Sequence, residues 1–172
     1  MPKYKPVLFK AWWVVASDKN PEHGWHWDQF FKEYDDSAQY FDWGGPDWIK
    51  SSNSFPLIKQ MRSNEIVVAY QAGEGIVGLA RLGSEGYMHK DSLHYDSFDL
   101  RPQPHVALER PIPYQVIRDY PHAAQHIEFV WAGFKSRSVF GVTATGLDIV
   151  VKLTYQVNPG QRKQVESFLK FD

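Results

Sequence analysis

The sequence predicts a single α+β domain, residues 1–172, built on a curved, mostly antiparallel sheet with short helices at its sides. Three observations lead to this fold class. The length of 172 residues suits one domain with a sizeable core. Strand-like apolar runs recur along the chain between turn residues. Several short segments show helical spacing instead, and no internal repeat or linker divides the chain.

The first half of the chain is predicted to supply a buried strand, two short helices and a hairpin. Ala11–Ala16 is a continuous apolar run, typical of a buried strand, and turn formers follow it. Residues 25–34 have nearly helical spacing of apolar side chains, and residues 55–61 fit one or two helical turns. The other predicted segments are a loop over 42–47, strands over 65–70 and 76–82, and a glycine-containing turn over 71–75.

The second half is predicted to hold a long loop, further strands and a terminal helix. Residues 83–104 are polar and lack periodicity, and long loops of this kind are functional or disordered. A strand over 105–108 is expected to end at Pro111 and Pro113. The remaining expectations are a short helix over 120–125, strands over 127–132, 139–142 and 148–157, and a helix over 161–171.

Composition excludes several classes of function. The net charge of −1 argues against a protein that binds bulk polyanions, although a local basic patch is compatible with it. The chain has no cysteine, which removes disulfides and thiolate metal sites. No window approaches the roughly 20 apolar residues of a membrane span, and the N-terminal residues lack a signal-peptide pattern. A cytoplasmic location is the expectation.

Motifs for cofactor, metal or nucleophilic chemistry are weak. Gly73, Gly75 and Gly78 spell GxGxxG, but a strand pattern follows where a dinucleotide site needs a helix, so a tight hairpin is favoured. The histidine pairs 23/26 and 122/126 each lack the third ligand that zinc needs. No nucleophile elbow is present. Aspartates precede Trp48 at positions 35, 36, 42 and 47, which leaves an acid–base site open. No metal and no cofactor are expected.

The aromatic residues, 16% of the chain, fall into two groups. Those in apolar runs are expected in the core, among them Phe9, Trp12, Trp13 and Trp131. Others lie in polar segments, where they either fold back over the core or form a cage for a planar ligand: Trp43, Trp48, Tyr87, Tyr95 and Phe98. Stacking on a nucleobase is worth about 1–3 kcal/mol per contact. The sequence therefore favours an aromatic cage for a base.

The ordered segments of this chain resemble the EVE and YTH families, which have a PUA-like fold. WWVVASDKN (12–20) is similar to their first strand and the polar turn after it, with Ala16 where the families have lysine. MRSNEIVVAYQAGEGIVGLARLGSE (61–85) is similar to their central hairpin, and SLHYDSF (92–98) to the loop that carries their second cage aromatic. HVALERPIPYQVI (105–117) and FKSRSVFGVT (134–143) resemble their later strands. The resemblance covers most of residues 9–150 and implies a PUA-like curved β-barrel flanked by short helices.

The resemblance also implies site residues for one nucleobase, often a methylated one. Trp48 and Tyr95 would be the cage walls, although Trp43, five residues before Trp48, is a rival for the first position. Polar residues would line the pocket and bond the base edge: Ser17, Asp18 and, less directly, Ser51. Basic residues would contact phosphates: Lys50, Lys135 and Arg137.

The resemblance therefore implies a non-catalytic reader of a modified base, in DNA rather than RNA, that reaches its target by base flipping. It would serve as the specificity domain of a prokaryotic modification-dependent restriction system, together with a nuclease or NTPase domain or subunit. Two alternatives stay open. One is a small PUA-like hydrolase that acts on modified nucleosides through Asp18 or Asp47. The other is an RNA-binding accessory domain without preference for a modification.

Overall fold

A computed structural model describes residues 8–17, 26–33, 41–44, 55–90, 93–132 and 138–171. Its strands are β1 (Ala11–Ala16), β2 (Phe41–Gly44), β3 (Ile66–Gln71), β4 (Gly75–Leu82), β5 (Ser97–Ile112) and β6 (Val139–Val142). The helices are α1 (Phe55–Ile58), α2 (Tyr114–Asp119), α3 (Ala123–His126), α4 (Glu128–Ala132), α5 (Ala144–Val157) and α6 (Arg162–Leu169). A π-helical turn (Gln29–Glu33) and a 3₁₀ turn (Pro159–Gln161) complete the elements of the described residues. None of the helices in these ranges is long and apolar enough to cross a membrane.

The strands form one six-stranded sheet in the order β2-β5-β4-β3-β1-β6. β1 and β3 run parallel, with Ala16 opposite Gln71, and every other recorded pair of strands is antiparallel. The α+β class and the mostly antiparallel sheet predicted from the sequence are therefore confirmed. The helical turns predicted over 25–34 and 55–61 are present, as is the helix at the C-terminal end.

Both faces of the sheet are buried. Because side chains alternate along a strand, β1 sends Trp13 to one face and Trp12 to the other, and both indoles are at most 2% exposed. The Trp13 face is covered by α4, α5 and α6, and Trp13 stacks between Tyr70 and Phe129 with centroids 5.1 and 4.9 Å away. The Trp12 face is covered by α1 and by the segment that begins at His26.

The turn between β3 and β4 explains the glycine motif. Gly73 and Gly75 have φ values of +85° and +118°, which residues other than glycine rarely adopt. A Cβ on Gly75 would also lie 2.0 Å from the carbonyl oxygen of Ile112. These glycines make a tight hairpin that leads into a strand, as the sequence favoured, rather than a loop that leads into a helix.

Two predicted loops are wrong because β2 and β5 pair there. Residues 42–44 belong to β2, opposite residues 97–99 of β5. β5 begins at Ser97, inside the predicted loop 83–104, and continues past Pro111 to Ile112. Phe98, predicted on a polar loop, is fully buried on the Trp12 face.

Two predicted strands are also wrong, since residues 127–132 and 148–157 lie mostly in α4 and α5. In α5 the buried residues recur at helical spacing, Ile149, Val150, Leu153 and Thr154. The Thr143 hydroxyl caps this helix by accepting a hydrogen bond of 3.1 Å from the Gly146 amide. Packing and capping thus override the β-branched composition. Trp131, predicted to be buried in a strand, lies on α4 and is 43% exposed.

Candidate functional site

Tyr95, the predicted second wall of the cage, lies at the border of the Trp12 face. It lies two residues before the start of β5, is half-buried, and packs against the apolar residues of that face. The ammonium of Lys59 lies 5.7 Å from the centre of its ring. Lys59 follows α1, whose Leu57 and Ile58 are buried on the same face. An aromatic ring beside an exposed cation can stack on a base while the cation attracts its phosphate.

Ser17, the predicted pocket residue at the end of the first strand, directly follows β1 and is half-buried. Here the parallel strands β1 and β3 end side by side, and the hairpin turn begins. The Ala72 amide donates a hydrogen bond of 2.9 Å to the carbonyl oxygen of Ala16, which fixes the backbone before Ser17. The structure thus places Ser17 on a rigid strand end.

Gln71, at the same strand end, is a buried polar residue that sequence reasoning missed. Its side chain is fully buried and its Oε1 accepts a hydrogen bond of 2.9 Å from the Trp27 amide. That bond fixes the orientation of the carboxamide, because the acceptor must face the N–H. Its Nε2 has no hydrogen-bond partner among the described residues. The sequence signal for this residue was a glutamine directly after the apolar run IVVAY. A polar side chain at the end of a buried strand needs hydrogen-bond partners.

His26 connects the hairpin to the segment that covers the Trp12 face. Its Nε2 lies 2.6 Å from Oε2 of Glu74, and its Nδ1 accepts a hydrogen bond of 3.0 Å from the Asp28 amide. This network assigns the ring proton to Nε2, which donates to the carboxylate. Lys32 donates a bond of 2.8 Å to Asp28, and that bond raises the pKa of Lys32. The sequence around His26 gives no indication of this contact with the hairpin.

The register relates Ser17 to Tyr95. Ser17 lies where the hairpin leads into β4, whereas Tyr95 precedes the part of β5 that pairs with the other end of β4, Leu82 opposite Leu100. Ala16 and Tyr95 both contribute to the Trp12 face. Ser17 and Tyr95 therefore lie near opposite ends of β4. Tyr95 packs against the Trp12 face, whereas alternation along β1 directs the position after Ala16 to the opposite face.

The other predicted site residues lie outside the described residues: Asp18, Trp48, Lys50, Ser51, Lys135 and Arg137. The backbone of Trp43 lies in β2 opposite Phe98, so this tryptophan is on a strand rather than on the predicted loop, while its side chain is outside the description.

Titratable groups elsewhere serve the fold. Within the described ranges no three His, Asp or Glu side chains approach one another closely enough to hold a metal ion. Nδ1 of His126 forms a hydrogen bond of 3.2 Å with the Thr143 hydroxyl. His126 therefore belongs to the cap of α5. Burial on the Trp13 face, with a smaller contribution from Tyr114, raises the pKa of Tyr70 to about 12.

Comparisons with known proteins agree on the fold. No family model and no curated protein matches the sequence. Among solved structures, a protein of Rhodopseudomonas palustris is 21% identical with a TM-score of 0.64, over 86% of this chain and 94% of that one. The DUF55 domain of human thymocyte nuclear protein 1 is 17% identical with a TM-score of 0.64, over 84% and 98% of the two chains. The human THYN1 protein in complex with 5-methylcytosine-containing DNA is 16% identical with a TM-score of 0.60, over 84% and 96%. At these identities the likeness establishes the fold alone, an α+β domain shared with these solved structures.

Proposed function

We propose that this chain is a non-catalytic module that binds a modified, methylated base, in DNA rather than RNA. One observation carries the proposal: the fold matches, over most of both chains, that of a human protein solved with 5-methylcytosine-containing DNA. The position of Tyr95 adds support, because a half-buried ring beside Lys59 suits a planar ligand near a phosphate.

The proposed cage joins Tyr95 to Trp48, with Trp43 as the rival for the position of Trp48. Two rings that face each other would hold a base by stacking, at about 1–3 kcal/mol per contact. A methyl group enclosed by these rings adds roughly 0.8 kcal/mol, which corresponds to about a fourfold preference over the unmodified base. Ser17, Asp18 and Ser51 would bond the edge of the base, and a carboxylate there would accept a hydrogen bond from an exocyclic amine.

In duplex DNA the base would have to be flipped out of the stack, at a cost of a few kcal/mol. Lys50, Lys135 and Arg137 would offset part of this cost by contacting phosphates. Three contacts predict that affinity falls about 40-fold between 50 and 200 mM salt. This modest dependence agrees with a net charge of −1.

We also propose that the module supplies base specificity to a modification-dependent restriction system, whose cleavage activity lies in another domain or subunit. Cleavage would belong to a nuclease or NTPase domain or subunit of that system.

The proposal is tested by fluorescence anisotropy with labelled oligonucleotides. Duplexes and single strands of one sequence carry 5-methylcytosine, 5-hydroxymethylcytosine, N6-methyladenine or no modification, at 50 and 200 mM salt. We expect at least a fourfold preference for one modified base. The preference should survive at both salt concentrations, because phosphate contacts alone are equal for all four oligonucleotides.

Variants then test the cage. Tyr95→Ala should lose about 5- to 150-fold in affinity for the preferred oligonucleotide, the equivalent of one stacking contact. Tyr155→Ala is the matched control, because Tyr155 is also half-buried beside a cation, with Arg162 4.6 Å from its ring centre, but it lies on α5. Trp48→Ala and Trp43→Ala separate the two rivals. Equal affinities of the Tyr95 and Tyr155 variants would remove Tyr95 from the site.

A further inference from the structure

The segment that leads to Tyr95 exposes large apolar side chains. Leu93 is 89% exposed, more than any other large apolar residue of the described ranges, and Met88 is 52% exposed. Solvent exposure of this degree excludes a role for Leu93 in the core. The neighbouring residues His89, Lys90 and His94 are exposed as well. Apolar and basic side chains are therefore exposed together at residues 88–90 and 93–94.

The base of this segment is firmly attached to the sheet. Tyr87 and Ser97 form an antiparallel bridge, with amide-to-carbonyl bonds of 2.8 and 3.1 Å. Asp96 is 2% exposed, and its Oδ1 accepts bonds of 2.9 Å from the His89 amide and 3.1 Å from the Ser97 hydroxyl. The Tyr87 hydroxyl donates a bond of 2.8 Å to Asp99. A segment held in this way loses little further entropy when its exposed residues insert into a partner.

The charges around the segment suit a nucleic acid. Lys90 lies on the segment itself, and Lys59 lies beside the Tyr95 ring that ends it. Along the sequence, residues 87–97 also contain two aspartates, Asp91 and the buried Asp96. Leucine and methionine are among the apolar residues that DNA-binding proteins insert between base steps. The base stack of a duplex is thus an occupant that matches both the apolar and the basic side chains.

We propose that Leu93, assisted by Met88, is a wedge that enters the duplex and fills the space left by the flipped base. Leu93 precedes Tyr95 by two residues, so the insertion point and one wall of the cage are carried on the same short segment. Lys90 contacts the backbone phosphates beside the opened step. This inference rests on the proposed function, since a wedge is needed where a base leaves the stack.

A wedge predicts a specific pattern of affinities. A single strand has no stack to open, so loss of the wedge should not affect its binding, whereas duplex binding should weaken. We expect Leu93→Ser to weaken binding to the modified duplex about tenfold and to change binding to the modified single strand by less than about twofold. Met88→Ser should act in the same direction, and more weakly, because Met88 is less exposed.

The experiment measures anisotropy with the preferred modified base in a single strand and in a duplex. A 2-aminopurine next to the modified base reports unstacking, and its fluorescence increase should be reduced in Leu93→Ser. Leu8→Ser is the matched control, because Leu8 is a 74% exposed leucine just before β1. Urea denaturation verifies that the variants fold as stably as the parent, as expected for exposed side chains.

Each outcome decides the matter. A selective loss on the duplex supports the wedge. Equal losses on duplex and single strand would overturn it and make Leu93 a contact to the strand itself. Unchanged affinity for both would overturn it in favour of another partner for this segment, such as a protein. Failure of the parent chain to prefer any modified base would instead reject the proposed function, and the wedge with it.

Discussion

Replacement of Gln161 by alanine should lower the free energy of unfolding, because its side chain bonds two backbone atoms of β5. β5 contains two irregular stretches. In the second, Ile76 of β4 pairs with Ile112, and Gly78, only two residues further along β4, pairs with Ala107, five residues away along β5. The extra residues of β5 cannot pair regularly with β4. The side chain of Gln161, 6% exposed, bonds to this stretch, since Oε1 accepts from the Glu109 amide and Nε2 donates to the Ala107 carbonyl, both at 2.9 Å.

The expected loss follows from these two bonds. Each contributes about 0.5–1.5 kcal/mol net, so Gln161→Ala should lower the free energy of unfolding by about 1–3 kcal/mol. Asn158 bonds the adjacent Arg110 in the same manner, with amide and carbonyl distances of 2.9 Å, and remains in place in the variant. The loss is therefore expected to be partial rather than a general unfolding of the sheet.

Urea denaturation followed by tryptophan fluorescence measures this loss. Gln164→Ala is the control, because Gln164 is exposed and bonds only to the Gln161 side chain among the contacts recorded for it, at 3.1 Å. This control should change stability by less than about 0.5 kcal/mol. The slope of free energy against urea should be the same in all three proteins. Equal stability of the two variants would refute the bonding of Gln161 to β5.

Two further predictions concern ionisable groups. The pKa of Tyr70 is about 12 in the folded state and about 10 in the unfolded state. The stability that comes from its neutral form is therefore complete below pH 10 and is lost as the pH rises toward 12. The total loss in the free energy of unfolding is up to about 3 kcal/mol. Urea denaturation at pH 9–11 should show a smaller decline for Tyr70→Phe, and parallel curves for both proteins would contradict this cause. Arg81 is 6% exposed and donates a bond of 2.8 Å to the carbonyl of Phe168 at the end of α6. Arg81→Met should cost about 1.5–3 kcal/mol and accelerate hydrogen exchange in α6, whereas unchanged exchange would show that α6 is held by its apolar contacts alone.

The parts of the fold that could be predicted depend on local pattern. The apolar run of β1 and the glycines of the hairpin determine their structure by burial and by positive φ, and both predictions are confirmed. The helix α5 was predicted as a strand because its β-branched residues outweighed its spacing. Its helical state depends on burial against the Trp13 face and on the Thr143 cap.

β5 was hidden by its prolines, which argue against a strand. Pro102 and Pro104 lie in a bulge of β5, between Val106, which pairs with Leu79 of β4, and Arg101, which pairs with Arg81. In a bulge, the missing amide hydrogen of a proline removes no hydrogen bond between the strands. Pro111 lies in the second irregular stretch. Only the pairing with β4 and β2, distant in sequence, makes this segment a strand.

The sequence indicated segments of the candidate site rather than its arrangement. Ser17 and Tyr95 were identified from their segments, and the structure places Ser17 at the end of β1 and Tyr95 at the border of the Trp12 face. Gln71 was missed because its burial depends on Trp27, which is 44 positions away in the sequence. Likewise, the exposure of Leu93 follows from the Tyr87–Ser97 bridge rather than from any pattern of its own.

The most direct test of the modified-base proposal compares one duplex with and without a single 5-methylcytosine, at 50 and 200 mM salt. We expect an affinity about fourfold or more higher for the methylated duplex at both concentrations, because the proposed cage encloses one methyl group between aromatic rings. Both affinities should weaken together as salt rises. Equal affinity of the two duplexes at both concentrations, with the same equality for the other modified bases, would contradict the proposal.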